Sequence, residues 1–439
     1  MPILFYLLLA SLPVFSSSPA EARAVQTETL ANGLKVILIE EHKAPVVTVQ
    51  VWYRAGSRNE ITGKTGLAHL NEHMMFKGTP KYGKGEFSRI VAKNGGTENA
   101  FTGKDYTAYF ENLSADRIGL ALDLESDRMT NLSIDAKEFQ LEREVVKEER
   151  RLRTEDDPQN LVVEHLYAAA FLVHPYHAPI IGWMSDLNQL QRNDVTGFYK
   201  RYYSPNNAIL VVVGDIDPKK LLPKIRQTFG KVPKGFPAPN LNMTEPEQNG
   251  ERRFLIKKEA QLPFVIAGYH VPNYSHPDNY ALSVLANILF SGKSSRLYRS
   301  LVYEKKLALD TGGDYPNLSA DPDLFYIYGV PQPGRNWEEL ERSLYAEIEK
   351  LKTEPVTDRE LQKAKNQIEA GFIMGQDSNF NRAMQVGTAE AVAAGYSYQE
   401  SYVENIRKVT PDDLIRAAKT YLIENQRTVG ILIPQPSKE

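Results

Sequence analysis

The chain has 439 residues, of which 42% are hydrophobic and 24% are charged, and its formal net charge is −3. These values are typical of a soluble globular protein with two or more domains, and they give no reason to expect nucleic acid as a partner. The sequence contains no cysteine, which excludes disulfide bonds, thiolate metal ligands and a cysteine nucleophile.

Residues 1–24 predict a secretory signal peptide. Residues 3–15, ILFYLLLASLPVF, form an apolar run that is too short to cross a bilayer, and the small residues after it offer cleavage sites. We therefore expect export across a membrane, a periplasmic location if the source is a Gram-negative bacterium, and no stable membrane insertion. No lysine or arginine precedes the apolar run, which indicates either a start further upstream or an n-region that relies on the charge of the amino terminus. An uncleaved anchor is the alternative to a cleaved signal peptide.

Residues 25–232 predict an α+β domain. A hairpin turns at Asn32-Gly33, a second strand follows in VVTVQVWY, and residues 66–78, GLAHLNEHMMFKG, have the apolar spacing of a helix. Two strands then flank Gly103, charged helices follow, and NAILVVVG is typical of a buried strand. Residues 233–252, rich in proline, asparagine, glycine and charge, predict a linker.

Residues 253–439 repeat this order of elements, which predicts a second domain without a metal site. Aligning MFKG (75–78) with LFSG (289–292) places three residues opposite the polar ones of the first half: Ser283 opposite His69, Ala286 opposite Glu72 and Asn287 opposite His73. We therefore predict an α+β fold of two homologous halves, each a mainly antiparallel sheet with helices packed on it. Chance similarity of two α+β segments is the alternative.

His69 and His73 indicate a metal site, since residues four apart lie on the same face of a helix. Two imidazoles need a third ligand and an open position to make a catalytic zinc site, and a nearby carboxylate such as Glu72 can take the proton of the attacking water. His-x-x-Glu-His is the order-reversed form of the His-Glu-x-x-His zinc helix. A surface helix that carries two histidines is the competing interpretation.

A third ligand is predicted in the segment EFQLEREVVKEERRLR. Phe139, Glu142, Val146 and Glu149 follow one stripe of a helix, and carboxylates on a buried stripe need a partner. Zinc would be a sufficient partner for Glu149, with Glu142 orienting a histidine. Spacing alone leaves Glu148 as a competitor of Glu149, and most glutamates in so charged a segment are solvated.

The sequence resembles the pitrilysin/insulinase family of zinc peptidases over essentially the whole mature chain. The family's inverted motif is matched by residues 69–73, its distal motif by EREVVKEE at residues 142–149, and its N-A-x-T…T-x-Y stretch between residues 99 and 109. The size is similar to that of the short branch, which includes the subunits of the mitochondrial processing peptidase. The distal motif favours Glu149 over Glu148.

The resemblance implies one Zn²⁺ per chain, bound by His69, His73 and Glu149, with Glu72 as the general base. It also implies that Asn99 and Ala100 contact an extended peptide substrate, which adds to the edge of the sheet as an extra strand. The alternative for Asn99 is a turn or strand-end residue without a substrate role.

One departure from the family concerns the substrate. Active members carry an arginine and a tyrosine seven residues apart in a block that here reads SSRLYRSLVYEKKLALD, and those two positions are Val302 and Leu309. Arg296 and Tyr303 have the same spacing but lie in the wrong register. The resemblance then implies a heterodimer with a related subunit that supplies the Arg/Tyr pair. A homodimer is the alternative, and a non-catalytic structural or assembly subunit is the competing function.

Overall fold

A computed structural model describes residues 25–436 as two β-sheets with helices packed on them. The predicted signal peptide, residues 1–24, lies outside the described residues. Within residues 25–436, no helix combines the length and the apolar character needed to pass through a bilayer.

The first sheet consists of six strands: β1 (Val25–Thr29), β2 (Lys35–Glu40), β3 (Val46–Tyr53), β4 (Thr97–Thr102), β5 (Thr107–Ser114) and β6 (Ala208–Gly214). Their spatial order is β1-β2-β6-β3-β5-β4. Strands β2 and β6 run parallel, and the other neighbours are antiparallel. Gly33 closes the β1–β2 hairpin with a φ of +91°, a conformation that residues with a side chain rarely adopt.

The second sheet consists of five strands: β7 (Arg252–Glu259), β8 (Phe264–Val271), β9 (Ala308–Asp314), β10 (Asp323–Pro331) and β11 (Arg427–Gln435). Their order is β7-β11-β8-β10-β9, and β7 and β11 are the parallel pair. The order β2-β6-β3-β5-β4 of the first sheet has the same topology. The predicted fold of two related, mainly antiparallel halves is therefore confirmed.

Fourteen α-helices lie among the described residues. The first half contains α1 (Leu67–Met74), α2 (Glu86–Lys93), α3 (Ile118–Asn131), α4 (Ala136–Arg150), α5 (Pro158–Ala170), α6 (Met184–Leu187), α7 (Arg192–Tyr202) and α8 (Pro218–Gln227). The second half contains α9 (Asp278–Phe290), α10 (Trp337–Thr353), α11 (Asp358–Gly375), α12 (Asn379–Ala391), α13 (Tyr396–Lys408) and α14 (Pro411–Tyr421). A wider π-helical turn, Arg151–Glu155, continues α4.

Each sheet is covered on one face by helices of its own half and on the other by a helix of the opposite half. Helix α12 packs on the first sheet through Ala383 and Val386, and α5 packs on the second sheet through Val162 and Leu166. Because both faces of the first sheet are covered, β6 is buried along its whole length, which explains its uninterrupted apolar sequence.

The loop after β4 joins the two halves through buried polar contacts. The ammonium of Lys104 pairs with Asp323 at 2.8 Å and lies over the ring of Tyr167. The carboxylate of Asp105 accepts hydrogen bonds from the Tyr176 hydroxyl at 2.7 Å and from the Ala320 backbone N–H at 3.0 Å. The end of β4 is therefore fixed by contacts with the second half.

Residues 232–251 contain no helix or strand, as expected for the predicted linker. The segment is nevertheless attached to the first half. The Glu245 carboxylate accepts hydrogen bonds from the backbone N–H groups of Leu172, Val173 and His174, at 2.7, 3.0 and 3.0 Å. The predicted domain limits of 25–232 and 253–439 remain a prediction.

Candidate metal centre

Helix α1 is held with its polar side facing a cleft. The Glu60 carboxylate accepts hydrogen bonds from the backbone N–H groups of Gly66, at 2.9 Å, and Ala68, at 2.7 Å. N–H groups in the first turn of a helix have no partner within the helix, so a carboxylate there stabilises its start. Leu70 and Met74 are buried in the first core, which leaves the opposite face of α1 to the cleft.

His69, His73 and Glu149 come together from α1 and α4. One nitrogen of each imidazole and one oxygen of the carboxylate all lie within 4.8 Å of one another. The distances to Oε2 of Glu149 are 3.8 Å from Nε2 of His69 and 3.5 Å from Nε2 of His73. Two imidazoles and a carboxylate at this spacing fit a tetrahedral Zn²⁺ site with one open position.

The protonation of His69 agrees with this fit. Burial lowers the pKa of His69 to about 3, and the charges of His73 and Arg153 add to the effect. The ring is therefore neutral at physiological pH, and a neutral imidazole has the nitrogen lone pair that a metal needs.

Glu142 and Lys77 hold the second histidine. Nδ1 of His73 is 3.1 Å from Oε2 of Glu142, so the Nε2 side of the ring faces Glu149. The other Glu142 oxygen forms an ion pair with Lys77. Burial raises the pKa of Glu142, but the hydrogen bonds from His73 and Lys77 outweigh burial and lower it overall. A charged Glu142 in this position holds the ring of His73, and its role in orienting a metal ligand stays a prediction.

Glu72 lies beside the cluster and is not part of the ligand group. One of its oxygens accepts a hydrogen bond from the Thr102 hydroxyl at the end of β4. Burial raises the pKa of Glu72, although the Thr102 hydrogen bond partly opposes the effect. A carboxylate whose pKa is raised toward neutrality is suited to general base catalysis.

The cleft that contains these side chains has a volume of about 670 Å³. Asn99 and Ala100 line it together with Thr102. Strand β4 is the last strand of the first sheet and pairs only with β5, so its other edge is free among the described residues. A free strand edge in a cleft can bind an extended peptide through backbone hydrogen bonds.

The structure distinguishes the two competing glutamates of α4. Glu148 has an exposed side chain that pairs with Arg151 at 2.7 Å, whereas the side chain of Glu149 is only 17% exposed and faces the histidines. The geometry therefore brings Glu149, and not Glu148, to the histidine pair. The metal-binding and catalytic roles of these side chains remain predictions.

The residues that line this cleft belong to the first half. Val302 packs against the second core, and Leu309 lies half exposed on β9. Arg296 is bound by both oxygens of Glu360, at 2.8 and 2.7 Å, and Tyr303 is exposed. Neither Arg296 nor Tyr303 contributes to the cleft.

Three residues near the cluster are not predicted as site residues from the sequence. Lys77 follows His73 by four, so the helical spacing that identifies the histidine pair could also have identified Lys77. Thr102 belongs to the N-A-x-T stretch, but its contact with Glu72 depends on how β4 packs against α1. Arg153 lies in a π-helical turn that the sequence pattern does not predict.

Comparison with known proteins supports the resemblance seen in the sequence. Residues 35–183 match the sequence model described as Insulinase (Peptidase family M16), and residues 189–368 match that of the Peptidase M16 inactive domain. The zinc protease PqqE of Helicobacter pylori is 35% identical over 421 residues, which cover 93% of each chain. An uncharacterized zinc protease of Mycobacterium bovis is 29% identical over 430 residues, 96% of each chain.

Solved structures show the same fold. The crystal structure of a protease from Helicobacter pylori matches with a TM-score of 0.90 and 34% identity, over 94% of this chain and 100% of that one. The periplasmic protease PqqL from Escherichia coli matches with a TM-score of 0.79 and 19% identity, over 95% of this chain but 48% of that longer chain. The chain therefore belongs to the insulinase family of peptidases, peptidase family M16.

Proposed function

We propose that the protein is a zinc-dependent endopeptidase that hydrolyses extended peptides or unfolded polypeptides, as the metal-bearing subunit of a two-chain peptidase. The observation that carries the proposal is the cluster of His69, His73 and Glu149, with Glu72 beside it, in a cleft bordered by a free strand edge. The names of the relatives, which are zinc proteases, support the metal and the reaction class.

In this proposal His69, His73 and Glu149 hold one Zn²⁺. Zinc in such a site activates water and polarises the carbonyl of the scissile bond. Glu72 takes the proton of the attacking water and passes it to the leaving amine, while the Thr102 hydroxyl holds the Glu72 carboxylate in place. The free edge of β4, at Asn99 and Ala100, aligns the peptide by backbone pairing whatever its side chains are.

The test separates metal binding from catalysis. Glu72→Gln keeps the size of the side chain but removes the base, so the variant should retain about one zinc per chain and lose at least about 100-fold in kcat. Glu148→Gln, a change on the exposed face of α4, should keep both properties. Zinc is measured by elemental analysis and hydrolysis with a quenched unfolded peptide. Hydrolysis by Glu72→Gln at the unaltered rate would contradict the proposed mechanism.

The two-chain arrangement rests on Val302 and Leu309, which are apolar where active relatives of the family carry an arginine and a tyrosine. The match to 48% of the longer protease PqqL also supports pairing, because a chain of that length has room for two units of this fold. We favour a heterodimer with a related subunit that supplies the Arg/Tyr pair, and a homodimer is the alternative.

The purified chain alone should hydrolyse peptides poorly, and activity should appear when the related subunit is added. Titration of one chain with the other, followed by peptide hydrolysis and by the mass of the complex, measures this dependence. Full activity of the isolated chain would exclude the division of labour. If the assembled complex neither binds zinc nor cleaves peptides, the protein is instead a structural or assembly subunit.

We further propose that the protein is exported after removal of its signal peptide, to the periplasm if the source is a Gram-negative bacterium. Sequencing the amino terminus of protein isolated from the periplasm should give a start after residue 22 or 24. Retention of residue 1 in a membrane fraction would favour the uncleaved anchor.

A further inference from the structure

The carboxylates of the cleft already have partners. Glu149 faces the two histidines, and Glu72 accepts the Thr102 hydrogen bond. Glu164 is held by both terminal nitrogens of Arg150, at 2.8 and 2.9 Å, in a pair that is almost fully buried. These carboxylates therefore already have partners in the protein or would bind the metal, so they are not available to bind a basic side chain of a substrate.

Arg153 is the one lysine or arginine among the described residues that line the cleft. Its side chain is 75% exposed, and Nη1 lies 2.8 Å from Oε1 of Glu149, the oxygen that does not face the histidines. A guanidinium has five N–H donors, so most of those of Arg153 are available to a ligand in the cleft. The π-helical turn Arg151–Glu155 gives Arg153 this position at the end of α4.

The ion pair between Arg153 and Glu149 is exposed at its arginine end only, since the side chain of Glu149 is 17% exposed. The exposed guanidinium can keep this pair and still offer N–H donors to a ligand. Arg151, two residues earlier, forms an ion pair with Glu148 in which both side chains are exposed, but Arg151 does not line the cleft. The two arginines therefore have similar chemistry and different access to a bound peptide.

We propose that Arg153 is a specificity residue that binds an acidic side chain of the substrate peptide close to the scissile bond. The inference rests on the proposed peptidase function and adds the class of substrate. Arg153 and the free edge of β4 line the same cleft, so a peptide aligned at Asn99 and Ala100 passes the guanidinium. A carboxylate fits a guanidinium through two parallel hydrogen bonds, which a neutral or basic side chain cannot form.

Peptide binding tests the inference without catalysis. The full chain with Glu72→Gln is loaded with zinc, and a labelled unfolded peptide is titrated by fluorescence anisotropy. A set of peptides is used in which each position of the sequence in turn is Glu, Gln or Lys. At the position that meets Arg153, the peptide with Glu should bind about three- to tenfold more tightly than the peptide with Gln, and this preference should shrink in high salt.

Three variants in the Glu72→Gln chain identify the residue. Arg153→Met should remove the preference for Glu, the matched Arg151→Met should keep it, and Arg153→Glu should shift it to the Lys peptide. Equal preferences in the Arg153→Met and Arg151→Met chains would overturn the role of Arg153. Binding without any charge preference overturns the inference and leaves the peptidase proposal intact, whereas no binding of any peptide, by the chain alone or with the related subunit added, overturns both.

Discussion

Lys77, Glu142 and His73 form a line of contacts that ends at the ligand cluster. Lys77 holds one oxygen of Glu142, and the other oxygen holds Nδ1 of His73, which fixes the direction of Nε2. The side chains of Lys77 and Glu142 are largely shielded from water, so solvent screens their attraction less than at an exposed pair. A residue that never touches the metal can therefore affect how tightly the metal binds.

Lys77→Met should weaken zinc binding by about tenfold or more, because Glu142 and His73 lose a fixed orientation. Competition with a chromophoric chelator measures the zinc dissociation constant. The matched control is Lys84→Met, since Lys84 also pairs with a glutamate of α4, Glu138, but away from the cluster. Lys77→Arg should restore most of the affinity. Equal zinc affinities for Lys77→Met and Lys84→Met would show that Lys77 has no such role.

The sequence predicts the residues of the cluster better than the contacts between them. Helical spacing brings His69 and His73 together, and the buried stripe of α4 brings in Glu142 and Glu149. The exposed position of Glu148 and the Thr102 contact with Glu72 depend on packing between elements that lie far apart in the chain. Spacing within one helix cannot predict such contacts.

Helix α12 and strand β3 are closely packed. Gly387 on α12 lies against Trp52 on β3, and a Cβ at position 387 would be 2.1 Å from Cε2 of the indole. Trp52 is fully buried, and the rings of Phe101 and Tyr106 pack against its indole. Gly371, on α11, is also helical, but a Cβ there would meet no atom within 4 Å.

Gly387→Ala should therefore destabilise the protein by about 1–3 kcal/mol, since overpacking costs more than the gain in helix propensity. Gly371→Ala should leave stability unchanged or raise it by up to about 1 kcal/mol, because alanine favours a helix and meets no obstacle. Thermal unfolding of the two variants compares them directly. A higher melting temperature for Gly387→Ala than for Gly371→Ala would contradict the close contact between Gly387 and Trp52.

The elements with continuous apolar patterns are the ones that the sequence predicts. Strand β6, AILVVVG, is recognisable because burial on both faces requires apolar residues throughout. Strand β9, ALDTGGD, is not predicted, since two aspartates and two glycines are typical of a loop. It becomes a strand because β10 supplies its backbone hydrogen bonds. Tertiary pairing thus decides the conformation where local preference is weak.

The linker contributes to the stability of the folded protein through Glu245. Burial raises the pKa of Glu245, but the backbone hydrogen bonds from Leu172, His174 and Val173 outweigh burial and lower it below the ordinary value of 4.5. A carboxylate whose pKa is lowered by folding stabilises the protein above pH 4.5. That stabilisation is lost as the pH falls through the lowered pKa.

Glu245→Gln should lower the melting temperature near pH 7, and its difference from the unaltered protein should shrink as the pH falls below about 4.5. Glu247→Gln, an exposed change in the same segment, should have little effect at any pH. Melting curves between about pH 7 and pH 3 measure both differences. A Glu245→Gln difference that grows with acidification would show that the carboxylate does not stabilise the docked linker.

The sequence shows that the chain has two related halves. It does not show that each half contributes one helix, α5 or α12, to the sheet of the other half. The apolar face of α5, with Val162 and Leu166, shows that the helix is buried, yet the pattern does not identify the sheet beneath it. The same holds for α12 on the first sheet. A close fit between two surfaces, such as that of Gly387 against Trp52, cannot be recognised from the apolar pattern alone.

Because α12 of the second half covers the first sheet, the first half cannot finish folding until most of the chain has been synthesised from its amino terminus. The first sheet has its six strands once residue 214 is synthesised, but one of its faces stays uncovered until residues 379–391 arrive. The first half therefore cannot complete its core early, since its last helix is made near the end. If the chain is exported, this delay would keep it unfolded enough to pass through a narrow channel, and folding would be completed on the far side of the membrane.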